Sequence, residues 1–160
     1  MLENLTGTLF YKIAATVGVS MLPILELRGG IPFGLALGLD NWTAFWASFV
    51  GNMLPIPFII LFLRQFLLWL EKKIPKLGAM IAGLERRAHL KGRMVEKYKV
   101  LGLMILVAIP LPGTGAWTGA LVAVFLDIRM KTALPVIALG VLIAGIIVTC
   151  ITYGVSFFIG

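Results

Sequence analysis

Two apolar stretches that are interrupted by glycine and proline constrain the fold of this chain more than any other feature. They are residues 26–34 (ELRGGIPFG) and 109–119 (IPLPGTGAWTG), and each lies in sequence hydrophobic enough to be buried in a bilayer. Glycine weakens a helix interior, and proline removes a backbone donor and clashes with the preceding turn. Backbone groups freed inside a membrane must be covered by protein or face a wet cavity. Paired breaks in two halves of a chain are typical of a transport site near the bilayer midplane.

The composition indicates an all-α integral membrane protein. The chain has 160 residues, of which 60% are hydrophobic, and its mean hydropathy is +1.03. Soluble domains are usually less apolar than this. Since a membrane span needs roughly 20 apolar residues, the length allows a few crossings, and we expect one membrane domain over residues 1–160.

The positive charge is concentrated in one segment. Nine of the fourteen Lys and Arg residues lie between Lys72 and Lys99, which predicts a basic, amphipathic, cytoplasmic loop over residues 71–99 and a multi-pass protein of the cytoplasmic membrane. The functional alternative for this loop is binding of lipid head groups, or regulation. Without a basic, aromatic-rich fold around it, the segment does not indicate a nucleic-acid partner.

Enzymatic chemistry is not indicated. The chain has one cysteine, Cys150, and one histidine, His89, which falls in the basic segment. A cysteine metal site and a Ser–His or Cys–His arrangement with a supporting acid are therefore absent from the sequence. We expect no enzyme activity, no cofactor and no metal.

Two long spans follow the broken stretches. Residues 42–70 are long enough to cross a bilayer with a kink at Pro55 and Pro57, and residues 132–158 form an uncharged second span. Arg64 lies within two turns of the basic end of the first span, so we expect its side chain to snorkel toward the membrane surface.

Each half of the chain therefore reads as a re-entrant helical hairpin followed by a transmembrane helix. The first repeat covers residues 1–70 with its hairpin at about 20–39, and the second covers residues 100–160 with its hairpin at about 100–126. With the basic segment cytoplasmic, the two repeats are inverted relative to each other. Hairpins that cross the membrane fully are the alternative that the sequence leaves open.

Glu26 and Arg28 are the opposite charges that lie deepest in apolar sequence. Ionisable residues are costly in a membrane and usually face a bundle interior or an aqueous cavity. Their i, i+2 spacing suits a non-helical turn, and Arg28 beside Gly29 and Gly30 suits phosphate, because the guanidinium binds it bidentately and glycine exposes backbone donors. Pro32 would then begin the returning half-helix. The structural alternative is that the two charges neutralise each other and the glycines permit a tight loop.

The second stretch adds a Gly-rich turn and hydroxyl groups. We expect its half-helix to begin near Trp117, and the site to lie where the two stretches meet. The candidate binding residues are Glu26, Arg28, Gly29, Gly30, Pro32, Pro110, Pro112, Gly113, Thr114, Gly115, Trp117 and Thr118.

These two motifs resemble the paired motifs of the putative small multidrug export proteins, a family that looks like a distant branch of the DedA (SNARE-associated, VTT-domain) superfamily. The likeness covers nearly the whole chain. For DedA-type proteins it implies two re-entrant hairpins that face each other and lipid transport. In bacteria the implied cargo is undecaprenyl phosphate, recycled to the cytoplasmic face, with proton or sodium coupling.

The resemblance carries over to some positions and not to others. Glu26 matches the acid of the first hairpin, and Pro110, Pro112 and Gly113 resemble a DedA-like Pro-x-Pro-Gly turn. DedA proteins also carry an arginine in the second hairpin, whereas this chain has Arg28 in the first.

The leading hypothesis from the sequence is a transporter that moves a phosphate-bearing lipid, such as polyprenyl phosphate, across the cytoplasmic membrane. Arg28 and the glycine-rich turns would hold the head group, and Glu26 would couple or gate. One alternative is a small multidrug exporter that exchanges cations for protons at Glu26, and another is a membrane scaffold or insertion factor. Membrane lipids and a coupling proton or sodium ion are the expected partners, and so small a transporter is expected to work as a homodimer.

Overall fold

The computed structural model describes residues 2–73, 92–111 and 113–159, and these ranges fold into seven α-helices without strands. The helices are α1 (Leu2–Ser20), α2 (Glu26–Ala36), α3 (Asn41–Met53), α4 (Ile56–Lys73), α5 (Gly92–Ala108), α6 (Ala116–Phe125) and α7 (Met130–Ile159). The expected all-α class is confirmed. Two stretches, Asn41–Trp69 and Met130–Gly154, are long and apolar enough to cross a membrane.

The first long span is broken where the sequence predicts a kink. Helix α3 ends at Met53, and α4 begins at Ile56 after a turn that contains Pro55. Proline lacks the N–H that would continue the helical ladder, so two prolines close together interrupt it here. Asp40 caps the start of α3, because its Oδ2 accepts a hydrogen bond from the Thr43 N–H at 3.0 Å.

The same order of elements occurs twice: a helix, a short helix and a long apolar span, which in the first half is broken into α3 and α4. Helix α1 packs along α2 and α3, and α5 packs along α6 and α7. The short helices cross between the halves, because α2 also contacts α7 and α6 contacts α4. The two broken stretches are thereby held against each other.

Matching residues mark equivalent places in the two halves. Three pairs are separated by the same interval along the chain: Lys12 and Lys99, Pro23 and Pro110, and Asp40 and Asp127. Lys12 of α1 lies near the C-terminal end of α2, and Lys99 of α5 lies near the C-terminal end of α6. A cation in that position interacts favourably with the helix dipole. Lys99 Nζ donates to the carbonyl of Leu126 at 3.2 Å.

The apolar core lies between the two short helices and helices α4, α5 and α7. Leu27 and Ile31 of α2 are fully buried in it. Other members of the same cluster are Val107, Ala116, Ala120, Ile137 and Val141. Gly140 allows α5 and α7 to approach, since a Cβ there would lie 2.7 Å from the Cβ of Val107.

The predicted start of the half-helix in the first half is wrong. Helix α2 begins at Glu26 rather than at Pro32, because the Glu26 N–H bonds the Leu22 carbonyl at 2.9 Å and the helix continues through the proline. In the predicted basic segment 71–99, α4 extends to Lys73 and α5 begins at Gly92, and its cytoplasmic placement stays a prediction. The rest of that segment, residues 74–91, lies outside the described residues.

Candidate functional site

Glu26 caps a helix that belongs to the other half of the chain. Its side chain is buried, with 4% of its surface exposed, and its Oε1 accepts a hydrogen bond from the Trp117 backbone N–H at 3.2 Å. The N–H of Ala116 also interacts with this carboxylate. Helix α6 starts after Gly115, which has no side chain to cap it. Glu26 therefore supplies the acceptor that the free N–H groups of the first turn require.

Glu26 and Gly115 both have unusual backbone conformations that allow this contact. Glu26 has a φ of 49°, in the left-handed region that non-glycine residues rarely adopt. Gly115 has a φ of 132° and a ψ of −164°, a conformation that is essentially restricted to glycine. A Cβ on Gly115 would overlap Glu26 Oε2 and lie 2.7 Å from its Cδ. Glycine is thus required at this position by both conformation and space.

Arg28 caps the other side of the same break. Helix α5 ends at Ala108, and the carbonyl groups that follow it have lost their helical partners. Arg28 Nη2 donates to the Ile109 carbonyl at 3.0 Å, and Nη1 donates to the Leu111 carbonyl. Nη2 also donates to Thr114 Oγ1 at 2.9 Å. The guanidinium thereby satisfies acceptors that the break in α5 sets free.

The two charges of the first stretch thus stabilise the two ends of the second stretch. Among the described residues, the ion pair that the structure holds joins Arg64 to Asp127 at 3.2 Å, and Glu26 and Arg28 form no direct pair. The alternative that Glu26 and Arg28 neutralise each other in a direct ion pair therefore does not fit the structure. Left-handed φ at Glu26 directs the carboxylate away from the line of α2, so the side chains diverge toward opposite ends of the break.

Thr114, Trp117 and Thr118 complete the junction between the stretches. The Thr114 hydroxyl lies 2.7 Å from the Ile109 carbonyl oxygen and fixes the turn from inside. The Trp117 indole Nε1 donates to the Met21 carbonyl at 3.2 Å, in the turn after α1. Thr118 Oγ1 donates to the Gly113 carbonyl at 2.9 Å. The half-helix begins at Ala116, as predicted near Trp117.

The glycines of the first stretch do not face the break. Gly29 N–H bonds the Leu25 carbonyl at 2.8 Å, within the first turn of α2, so it is not a free donor for phosphate. Gly30 faces α1 and α3 instead, where a Cβ would overlap Ser20 Oγ and lie 2.8 Å from Ser48 Oγ. The predicted non-helical turn with exposed N–H groups is wrong, because α2 already uses these groups.

The remaining predicted residues lie at the edge of the site. Pro32 is exposed on α2, and Pro110 is half-buried in the break. Gly113 is exposed with a φ of 82°, which lets the chain reverse without strain. Pro112 lies outside the described residues.

A small cavity lies beside Glu26, and Asn52 of α3 shares it. The cavity has about 170 Å³ of empty space, part of it open to the surroundings, and is lined by Glu26, Leu27, Arg28, Asn52, Val107, Gly115, Ala116, Val141 and Ala144. Asn52 is 2% exposed, and its Oδ1 has no hydrogen-bond partner. The prediction from sequence leaves Asn52 out. Its signal is an amide within an apolar span, four residues after Ser48 and on the same helix face.

Arg64 has a partner rather than a free path to the surface. Besides its ion pair with Asp127, its Nη2 donates to the Ile128 carbonyl at 3.0 Å. Asp127 has a φ of 51° and ends the turn after α6. These contacts tie α4 to the end of α6, and snorkelling of Arg64 toward the membrane surface stays a prediction.

The comparisons with known proteins identify a family. The family model described as putative small multi-drug export protein matches residues 26–147, a range that begins at Glu26 and includes both broken stretches. No curated protein and no solved structure matches the chain. The match covers most of the chain, which is an all-helical protein with two apolar helices long enough to span a membrane. The chain belongs to the putative small multi-drug export protein family.

Proposed function

We propose that this protein exports small amphiphilic cations across the cytoplasmic membrane in exchange for protons, with Glu26 binding the two in turn. The description of the family supports export of small molecules. The burial of a carboxylate in an apolar bundle supports Glu26 as the exchange group, because ionisable residues in membranes usually mark transport pathways. Sodium is the alternative coupling ion at the same carboxylate.

The proposal rests on a difference between Arg28 and Glu26 in their internal hydrogen-bond partners. Three acceptors from the break occupy the Arg28 guanidinium. Glu26 in contrast lines a cavity together with Asn52, whose buried Oδ1 has no hydrogen-bond partner. The site is therefore better prepared to receive a positive group at Glu26 than a negative group at Arg28.

The contact between Glu26 and α6 links binding to movement. The ionised carboxylate interacts with the N–H groups at the start of α6, and this interaction weakens when a proton neutralises the charge. A bound cation instead keeps the carboxylate ionised. Helix α6 packs on α4 and α7. A weaker contact between Glu26 and the start of α6 would therefore change the packing of α6 against both of these helices.

The membrane arrangement is part of the proposal. Two inverted repeats with re-entrant hairpins would place the junction near the midplane, with the segment 71–99 cytoplasmic. The twofold order of helices and the equally spaced Lys, Pro and Asp pairs support this arrangement. We further propose that the family is related to the DedA superfamily. We also propose that the protein works as a homodimer and carries out transport without an enzymatic step or cofactor.

Translocation of a phosphate-bearing lipid is the second candidate. The half-buried Arg28 next to the exposed turn at Gly113 favours it. However, the carboxylate of Glu26 fills the anion position at the N-terminus of α6, and the helix uses the N–H of Gly29. Phosphate would have to displace these internal partners.

Transport in proteoliposomes distinguishes the two candidates. Vesicles containing the purified full chain receive either a labelled amphiphilic amine with an imposed pH gradient or labelled polyprenyl phosphate, and protein-free vesicles give the passive rates. We expect gradient-driven amine transport that Glu26→Gln abolishes. Amine transport at the passive rate, with flipping of polyprenyl phosphate that depends on Arg28, would overturn the proposal in favour of the second candidate.

A further inference from the structure

Asn52 is a buried polar side chain whose acceptor has nothing to accept. It lies on α3, and its Oδ1 is among the buried side-chain oxygens that lack a hydrogen-bond partner. Buried polar groups in proteins nearly always have partners, so each exception calls for a ligand or another explanation. Unlike Ser48, the other such group, Asn52 lines the cavity that contains the Glu26 carboxylate.

The cavity brings the side chains of Glu26, Asn52 and Arg28 together among apolar walls. Glu26 comes from α2 and Asn52 from α3, while Val107, Val141 and Ala144 close the other sides. It has room for about one water-sized group. A space of this size is far below the roughly 300–1,000 Å³ of sites that enclose a drug-sized molecule.

We propose that the cavity is a head-group site for a primary ammonium, which donates one N–H to Asn52 Oδ1 and another to the Glu26 carboxylate. An ammonium has three donors and no acceptor, and its nitrogen is about as large as a water molecule. The apolar remainder of the amphiphile stays outside the cavity, against the hydrophobic surface of the bundle. The inference rests on the proposed export of amphiphilic cations and names the class that the site prefers.

The Arg28 guanidinium does not compete with a bound ammonium for the oxygens of Asn52 and Glu26. Arg28 directs Nη1 and Nη2 to the Ile109 and Leu111 carbonyls and to Thr114 Oγ1. Its charge is thereby surrounded by the carbonyl dipoles of the break. The Glu26 carboxylate keeps acceptor capacity beyond its contacts with α6, because two carboxylate oxygens offer about four lone pairs.

The assignment separates two kinds of cation. A quaternary ammonium has no N–H to donate, and its methyl groups exceed the room of a water-sized site. A site built to hydrogen-bond its ligand discriminates strongly against an analogue that lacks the donor. We therefore expect octylammonium to bind at least about tenfold more tightly than octyltrimethylammonium, although both carry one charge and the same chain.

Binding to the purified full chain in detergent tests this inference without any transport step. The dissociation constants of octylammonium and octyltrimethylammonium are measured for wild type, Asn52→Leu, Asn52→Asp and Ser48→Ala, with the melting temperature of each variant recorded. Asn52→Leu keeps the approximate volume and removes the acceptor, whereas Asn52→Asp retains an acceptor. Ser48→Ala removes the other unpartnered buried oxygen one turn away and is the matched control.

We expect Asn52→Leu to lose the preference for octylammonium, and Asn52→Asp and Ser48→Ala to keep it. Equal affinity of the wild type for the two cations, or an unchanged preference in a folded Asn52→Leu variant, would overturn the inference. Such a result leaves proton-driven export to be judged by the proteoliposome assay. Conversely, loss of the preference in Asn52→Leu stands even if no coupled transport is found.

Discussion

The Glu26 carboxylate accepts a hydrogen bond from the Trp117 backbone N–H at 3.2 Å, across 91 positions of the sequence. This contact joins the start of α2 to the start of α6, so the first broken stretch caps the second. Arg28 bonds the carbonyl groups on the other side of the same break. Two residues that look like a ligand site in the sequence therefore also maintain the fold, and substitutions must be chosen to separate the two roles.

Glu26→Gln is expected to separate capping from charge. Its amide oxygen can still accept from the Trp117 N–H, whereas Glu26→Ala leaves the first turn of α6 without a cap. We predict that Glu26→Ala lowers the free energy of unfolding by about 1–2 kcal/mol, the usual effect of losing a cap, and that Glu26→Gln costs less. Thermal unfolding in detergent, followed by circular dichroism, measures both. A larger loss for Glu26→Gln than for Glu26→Ala would contradict the capping role.

Arg28→Lys is predicted not to be conservative. One ammonium cannot reproduce the planar fork of a guanidinium that reaches the Ile109 and Leu111 carbonyls and Thr114 together. We expect Arg28→Ala to destabilise the protein by about 1.5–3 kcal/mol, because the acceptors of the break lose hydrogen bonds to a charged group, and Arg28→Lys by an intermediate amount. Unfolding in detergent gives the order. Equal stability of wild type and Arg28→Ala would show that the break does not depend on this side chain.

Gly115→Ala and Gly113→Ala form a matched pair at the two ends of one turn. Both glycines have positive φ, 132° and 82°, so an alanine at either is strained by about 1–2 kcal/mol. At Gly115 the added Cβ also overlaps the Glu26 carboxylate, whereas at Gly113 it meets nothing within 4 Å. We predict a clearly larger loss of melting temperature for Gly115→Ala, and a loss of function that Gly113→Ala does not share. Equal effects would mean that the contact with Glu26 is not important.

The cap at Asp40 predicts a dependence of stability on pH. The Thr43 hydroxyl and N–H hold the pKa of the exposed Asp40 carboxyl below its ordinary value. A carboxyl with a lowered pKa in the folded state contributes stability that is complete above its unfolded pKa and is lost as the pH falls through the folded one. Asp40→Asn can still cap α3 but does not titrate there. The stability difference between wild type and Asp40→Asn should therefore shrink on acidification, and a difference that grows would contradict the assignment.

The sequence predicts the parts of this fold that follow from local patterns. The kink near Pro55 and the start of α6 near Trp117 depend on the chemistry of neighbouring residues, and the structure confirms them. The length of the apolar stretches likewise identifies the two candidate membrane spans. These features need no knowledge of which helices touch.

The partners of the charged residues could not be predicted in the same way. The spacing of Glu26 and Arg28 suggests a non-helical turn, but left-handed φ at Glu26 lets a helix begin there. Their acceptors and donors lie in the other half of the chain, and no local pattern encodes that pairing. Asn52 shows the same limit, because the cavity beside it is formed by α2, α3, α5, α6 and α7 together.

Proton release on binding tests the exchange at Glu26 most directly. Purified protein in weakly buffered detergent at neutral pH is titrated with octylammonium chloride while the pH is recorded, with Glu26→Gln as the comparison. Exchange at one carboxyl predicts that the wild type releases up to about one proton per bound molecule and that Glu26→Gln releases none. Binding to the wild type without proton release, or equal release from Glu26→Gln, would contradict the account.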